Sequence, residues 1–288
     1  KLEMRALVRG GDYKAVLRAH KAKKVSDADL VSLYEKRVAD IEAIVRRESL
    51  LTLPARPVRV RLATAGETAQ TPAPTLDVQA LFKKEETLAF VIPVAGPPRP
   101  GETSAAYDDF AYPAISWSLA AHEARPGHEL QFSILKERGL SLPRTLFAFN
   151  AANIEGWGLY AESIVYPFMP EDGQLSALRT RALREARAFL AVGLHEGKIT
   201  LDEARRVLAD DLVFGDGVVR EELDRYTFRD PAQATAYFFG LEKLRALRAE
   251  VEAKQGKSFD TRAFHDAVLG AGLLPPDMLR EAVLASLR

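Results

Sequence analysis

The chain has 288 residues, 40 Lys and Arg against 40 Asp and Glu, five histidines, no cysteine, and a hydrophobic share of 47%. That balance suits an ordinary globular protein with enough apolar surface for one large core or two modest ones. The missing cysteine excludes thiol nucleophiles, zinc ribbons and iron–sulfur sites, and zero formal net charge gives no bias toward nucleic acid or an anionic membrane.

No apolar run approaches the roughly 20 residues of a spanning helix, so no transmembrane segment is expected. The sequence opens Lys-Leu-Glu-Met-Arg without a signal-peptide pattern. Cytoplasmic and extracytoplasmic placement both stay open.

From Tyr13 to Arg47 apolar residues recur mostly at three and four, which reads as two helices, with Ser26 placed to cap the second. Residues 1–53 form an N-terminal helical segment on this reading. Residues 54–113 hold nine of the sixteen prolines around two short runs, Val58–Leu62 and Leu88–Val94, read as strands joined by loops. Residues 114–288 carry a helical pattern, with a capping-box signature at Thr200 and Glu203 and breaks at Pro143, Pro231 and Pro275. No repeat is visible, and Arg179, Arg181, Arg184 and Arg187, accompanied by Glu185, read as a solvated helix face. The expected fold class is therefore mainly α with a small β element.

The chemistry concentrates in Ala121-His122-Glu123-Ala124-Arg125-Pro126-Gly127-His128. A zinc hydrolase needs neutral imidazole ligands and a carboxylate able to take a proton from water at the metal. In the common zincin signature the histidines are four apart and share a helix face; here they are six apart. Six residues turn an ideal helix by about 600°, which leaves roughly 120° between the two rings. Pro126 lacks an N–H and its ring conflicts with the His122 carbonyl four residues back, while Gly127 permits unusual backbone angles. Pro-Gly is thus expected to interrupt or bulge the helix and swing His128 toward His122. The alternative is a helix ending at Arg125, with His128 on the surface and His122 in the core.

The third ligand is sought in Asn153-Ile154-Glu155-Gly156-Trp157-Gly158-Leu159-Tyr160-Ala161-Glu162. Glu155 and Glu162 are two helical turns apart on one face, so one can bind a metal while the other orients a histidine. Carboxylates on so apolar a helix are unfavourable to bury unless paired or metal-bound, the alternative being that both point to solvent.

These blocks, His-Glu-x-x-Pro-Gly-His and Glu-Gly-Trp-x-Leu-Tyr-x-Glu, resemble those of the bacterial family catalogued as domain of unknown function 885. Agreement continues at Gly193-Leu194-His195, Arg225-Tyr226, Pro231 to Tyr237, Leu244-Arg245 and Phe264-His265-Asp266, over roughly residues 88 to 288. Ala232 stands where the family usually has Gly, and Pro276 where Leu is common. The family is similar to helical metallopeptidases of the gluzincin type. That resemblance implies a zincin-like fold, one Zn2+ held by His122, His128 and Glu155, and Glu123 as the general base that activates water for peptide or peptide-like amide hydrolysis. Family members are usually longer upstream, so the chain resembles their C-terminal portion. Its partners are expected to be a peptide or small amide substrate and either a missing N-terminal half or a second copy in a homo-oligomer, with neither nucleic acid nor a membrane span.

Transition-state stabilisation calls for a donor to the oxyanion, and Tyr237 and His265 are the candidates. Both can equally be core. Arg245 is a candidate for a substrate carboxylate; Glu162 and His195 are placed behind the metal ligands, and His20 reads as exposed. Leu88–Ile92 is a candidate edge strand for binding extended peptide, and a buried structural strand fits the same composition equally well. A non-catalytic metal-binding or peptide-binding module is the competing reading.

Overall fold

The computed structural model describes residues 1–78, 88–94, 109–138 and 141–287, so the Pro-rich segment is seen only in part. α1 (Leu2–Leu7) and α2 (Tyr13–Lys21) lead into the long α3 (Asp27–Arg47). Asp12 starts α2 by accepting from the Lys14 amide. Ser26 does flank α3, but its hydroxyl donates to the Asp29 carboxylate instead of accepting from the backbone. α1 is too short for a periodic signal to show.

β1 (Arg59–Leu62), α4 (Ala65–Gln70), β2 (Thr75–Asp77) and β3 (Ala89–Ile92) make the β element. The sheet order is β1-β3-β2, with β3 parallel to β1 (Arg59 opposite Ala89) and antiparallel to β2 (Thr75 opposite Val91). All four β3 residues are buried. The Leu88–Ile92 run is therefore the central strand, bonded on both flanks, and has no open edge to offer a peptide. The short β2, which no sequence periodicity reveals, takes that edge.

The remaining chain is helical: α5 (Pro113–Glu123), α6 (His128–Arg138), α7 (Leu142–Phe147), α8 (Ala151–Val165), α9 (Glu171–His195), α10 (Leu201–Arg206), α11 (Asp216–Asp224), α12 (Ala236–Gln255), α13 (Thr261–Gly270) and α14 (Pro276–Ser286). The Thr200–Glu203 capping box closes as expected. Pro276 sits in the first turn of α14, where a missing N–H is tolerated. Ala232, in the turn after Pro231, adopts φ +71°, the left-handed region that glycine occupies without steric penalty. The protein is mainly α with one small sheet, and no helix among the described residues is long and apolar enough to cross a membrane.

The largest apolar cluster joins α3 (Leu30, Tyr34, Ile41), β3 (Phe90, Ile92), α8 (Trp157, Leu159), α12 (Leu241, Leu244) and α14 (Val283). A second one packs the C-terminal half of α9 (Leu183, Leu190) against Leu208, Val219 and Tyr226. Between them α9 corrects the solvated-face expectation. Arg179, Arg184 and Arg187 are buried, and only Arg181 reaches Glu185 on the surface side. Arg179 donates to Asp109 at 2.8 Å and to the Leu212 carbonyl at 2.7 Å, while Arg187 pairs with Glu222. Those acceptors lie far off in sequence, so the nearby Glu185 gave a misleading local picture.

α8 and α12 cross closely enough that neither tolerates a side chain at the contact. A Cβ on Gly240 would fall 1.8 Å from the Ala152 carbonyl oxygen, and one on Gly156 would fall 2.7 Å from the Gly240 Cα. Overpacking a well-filled contact typically costs about 1–3 kcal/mol. Gly240→Ala is expected to lower stability by at least that amount, read as a reduced urea midpoint at unchanged m-value.

Candidate metal centre

α5 stops at Glu123 and α6 starts at His128, with the cis Arg125–Pro126 bond and Gly127 between them. The interruption expected at Pro-Gly is present. A Cβ on Gly127 would lie 1.8 Å from the His122 carbonyl oxygen, so the chain can only double back here through glycine. The break is held from several sides. The Trp157 indole donates to the Pro126 carbonyl at 2.9 Å, satisfying an acceptor that an unbroken helix would have used. Arg125, fully buried, donates to Glu129 at 2.7 Å and to Glu42 at 2.6 Å.

The result places the His122 and His128 rings 4.7 Å apart between centroids, at 85° to each other. From α8, Glu155 Oε2 stands 3.5 Å from His122 Nε2 and 3.4 Å from His128 Nε2. One donor atom from each of the three lies within 4.8 Å of the others, a spacing that could hold one metal ion. The atoms turned away from this point are already engaged. His122 Nδ1 is 2.7 Å from Glu162 Oε1, and Glu162 Oε2 accepts from Ser118 at 2.5 Å and Thr180 at 3.1 Å. His128 Nδ1 faces Gln131 Oε1 at 3.4 Å, and the Gln131 amide is anchored on Asn153 at 3.1 Å. In its neutral form, with Nδ1–H given to Glu162, His122 presents an Nε2 lone pair to the common point.

Electrostatics follow from this crowding. Burial works to lower the His122 imidazole, but Glu155 and Glu162 outweigh it and push its pKa up to about 9. Burial likewise works to raise Glu155, yet the two imidazoles hold it well below the ordinary carboxylate range. The two carboxylates thus favour a proton on the imidazole between them. Glu123, next to the common point but bonded to neither ligand, is raised by burial first and by Glu155 in addition, against the opposing pull of the imidazoles and Arg184.

These residues open into a cleft of about 560 Å³. One wall is the stretch from Gln70 to Leu76 ending in β2, another is apolar (Leu119, Phe132, Ile154), and the third is largely cationic (Arg184, Arg187, Arg225, Arg229), with Glu221, Glu222 and Asp230 among the arginines. Tyr237 projects from the start of α12 with its ring stacked toward His122 at 6.4 Å and 20°. Its hydroxyl accepts from Arg225 at 2.9 Å, and Arg187 lies 4.4 Å over its ring. Gln233 donates to Glu155 at 3.5 Å. Arg187 itself makes a two-pronged pair with Glu222, at 2.7 and 2.6 Å, and Tyr226 donates to the same carboxylate at 2.7 Å.

Three sequence candidates fall elsewhere. His265 is fully buried in the main core, where Nδ1 meets the Leu50 carbonyl at 2.7 Å and Nε2 the Tyr160 hydroxyl at 2.9 Å. Burial lowers its pKa to about 4, so it is a neutral structural link and does not line the cleft. Arg245 is exposed, pairs with Glu242 at 2.8 Å, and borders a separate small cavity. His195 ends α9 on the Tyr226 carbonyl at 2.7 Å, away from the ligands. His20 is half-buried instead of exposed. Conversely, Arg184, Arg187, Glu222 and Gln233 line the cleft without having been assigned a role; the three-residue spacing of Arg184 and Arg187, one turn beyond Thr180, is the signal that marks a shared face.

The family of bacterial proteins of unknown function, DUF885, has a sequence profile that matches residues 2–283. The chain belongs to the DUF885 family. The match extends upstream of residue 88, so the N-terminal helices and the sheet are part of the DUF885 region as well. Two solved structures share the fold. One, described as "a putative lipoprotein of unknown function" from Shewanella oneidensis, is 22% identical, superposes over 95% of this chain and 50% of its own with a TM-score of 0.77. The other, a "putative lipoprotein" from Colwellia psychrerythraea, is 22% identical over 99% of this chain and 49% of its own, with a TM-score of 0.81. This DUF885 chain thus spans about half the length of either. No curated protein matches the sequence.

The Arg187–Glu222 pair gives a pH signature. Burial acts to raise Glu222, but Arg187 overrides it and holds the carboxyl at about 2, below its ordinary 4.5. A depressed folded-state pKa contributes stability that is complete above the unfolded value and is lost as pH falls through the folded one. Urea midpoints of the native protein should therefore decline from pH 4.5 toward 2 more steeply than those of Glu222→Gln. Equal slopes would show that the pair does not couple to folding.

Proposed function

We propose that this DUF885 protein is a zinc-dependent hydrolase of peptide or peptide-like amide bonds, with a zincin-like arrangement of its helices. The observation that carries the reading is the convergence of His122, His128 and Glu155 on one point with Glu123 beside it. The donor set fits zinc: two imidazole nitrogens and one carboxylate oxygen, each imidazole fixed through its other nitrogen, with a cleft open on the remaining side. Bound there, the ion supplies a Lewis acid that polarises a carbonyl and makes water acidic enough to ionise near neutral pH.

The chain's own groups divide the remaining work. Glu123, its basicity increased by burial, takes a proton from the attacking water and passes it to the leaving nitrogen as the C–N bond breaks. One water is consumed, and a carboxylate and an amine leave. Tyr237 keeps its proton, since burial and Glu155 raise its pKa, and its oxygen is already occupied as an acceptor from Arg225. Its O–H is therefore free to donate to the oxygen that gains charge, a role for which His265 is wrongly placed. Glu162 fixes the His122 tautomer through a network that includes Ser118 and Thr180. The lipoprotein description of both solved neighbours supports placing the protein outside the cytoplasm.

After reconstitution the purified protein should hold about one equivalent of zinc, and less than about a tenth would overturn the reading. A mixed peptide library should be cleaved in a chelator-sensitive way. Glu123→Gln is expected to keep the zinc and lose about 10²–10⁴-fold in turnover. Zinc retention without any cleavage by the native protein would make it a binding module instead. Glu162→Ala should weaken zinc binding about 10–100-fold in a competition assay with a chromophoric chelator, the usual effect of removing a partner behind a metal-bound histidine.

A further inference from the structure

Four arginines line the cleft, and their charges are not equally neutralised: Arg229 is paired with Glu221. Arg187 is matched by Glu222 at 2.6 Å. Arg184 is only 7% exposed, yet its nearest carboxylate oxygen, on Glu162, is 3.9 Å away, and that carboxylate is already engaged by His122, Ser118 and Thr180. One Arg184 N–H goes to the Thr180 carbonyl at 3.2 Å, and the buried Nε has no hydrogen-bond partner. Arg225 spends one nitrogen on Gln233 and the Tyr237 hydroxyl, both neutral, and makes no ion pair among the described residues. A guanidinium that is buried, as Arg184 is, or half-buried, as Arg225 is, and has no carboxylate of its own is unfavourable unless an anion arrives. Both border the cleft that contains Glu123 and Tyr237.

We propose that Arg184 and Arg225 form a carboxylate subsite, so that the protein selects amides bearing a free carboxylate close to the scissile bond: the C-terminal residue of a peptide or an N-acyl amino acid. The position is set through Gln233, which accepts from Arg225 and donates to Glu155, so Arg225 lies two hydrogen bonds from a metal ligand. That is the reach of about one amino-acid unit. Guanidinium binds carboxylate through paired, charge-assisted hydrogen bonds that a neutral amide cannot reproduce. The apolar wall of Phe132 and Ile154 is available to the adjoining side chain. Arg245, the sequence candidate for this task, is replaced by residues that face the site.

The bond that is cut rests on the hydrolase reading; recognition of the carboxylate does not, and the two are tested separately. Calorimetric titration, with and without added zinc, compares hippuryl-L-phenylalanine with hippuryl-L-phenylalaninamide, which differ only in the terminal charge. The free acid should bind about tenfold tighter or better, the effect of one good charge-assisted contact. Arg225→Gln and Arg184→Gln should each bring that ratio toward one, and Arg225→Lys should keep part of it, whereas a merely structural role would weaken both ligands alike. Thermal melts establish that each variant is folded. Equal affinity for acid and amide, no binding of the acid, or a ratio that survives both Gln substitutions would overturn the subsite. If the acid is preferred but never cleaved, the subsite stands and the hydrolase reading falls.

Discussion

Two imidazoles six residues apart can meet only if the helix between them gives way, and much of the site is built around keeping that break in place. Pro126 removes a donor, Gly127 provides the only side-chain-free position against the His122 carbonyl, and α8 then seals the gap. The same α8 that seals it with the Trp157 indole also delivers Glu155 two residues earlier and Glu162 five residues later. The brace on the break, the third donor and the orienting carboxylate are thus carried on one rigid rod. A shift of α8 relative to α5 would disturb all three together, which is why its tight crossing with α12 matters to the geometry of the cluster as well as to the core.

The cationic wall shows a different economy. α9 sends Thr180, Arg184 and Arg187 along one face into the site, with Arg179, next to Thr180, turned into the core on another face. Burying that much positive charge is tolerable because Asp109, Glu222 and several backbone carbonyls reach in from distant segments. Arg187 is fully answered by this arrangement and helps to seat Tyr237. Arg184 is answered only in part.

What the sequence reveals depends on how local the cause is. The histidine pair and its break can be read because proline, glycine and both rings fall within seven residues. Glu155 and Glu162 can be read because acids two turns apart on an apolar helix need a reason to be there. The fold class follows from periodicity, and the capping box at Thr200 and Glu203 from its fixed spacing. The failures share one cause, which is that the partner lies far along the chain. Arg187 cannot announce Glu222, thirty-five positions later; nothing in Phe264-His265-Asp266 shows that the imidazole turns toward Leu50 and Tyr160; and the composition of β3 fits an edge strand and a buried one alike until the three residues of β2 are placed beside it. Arg245 was plausible by residue type alone, and its helix face turns it outward.

The turn at Ala232 ties backbone conformation to the acid that completes the donor set. Its φ of +71° is an unfavourable posture for a residue with a methyl group, and it comes one position before Gln233 and five before Tyr237. The tension held there is set against the placement of both side chains. A chain with glycine at this point would reach the same bend without resistance, but it would also sample neighbouring bends more freely, and the amide that steadies Glu155 would wander with it. Some loss of stability is exchanged for a more narrowly defined bend just ahead of Gln233.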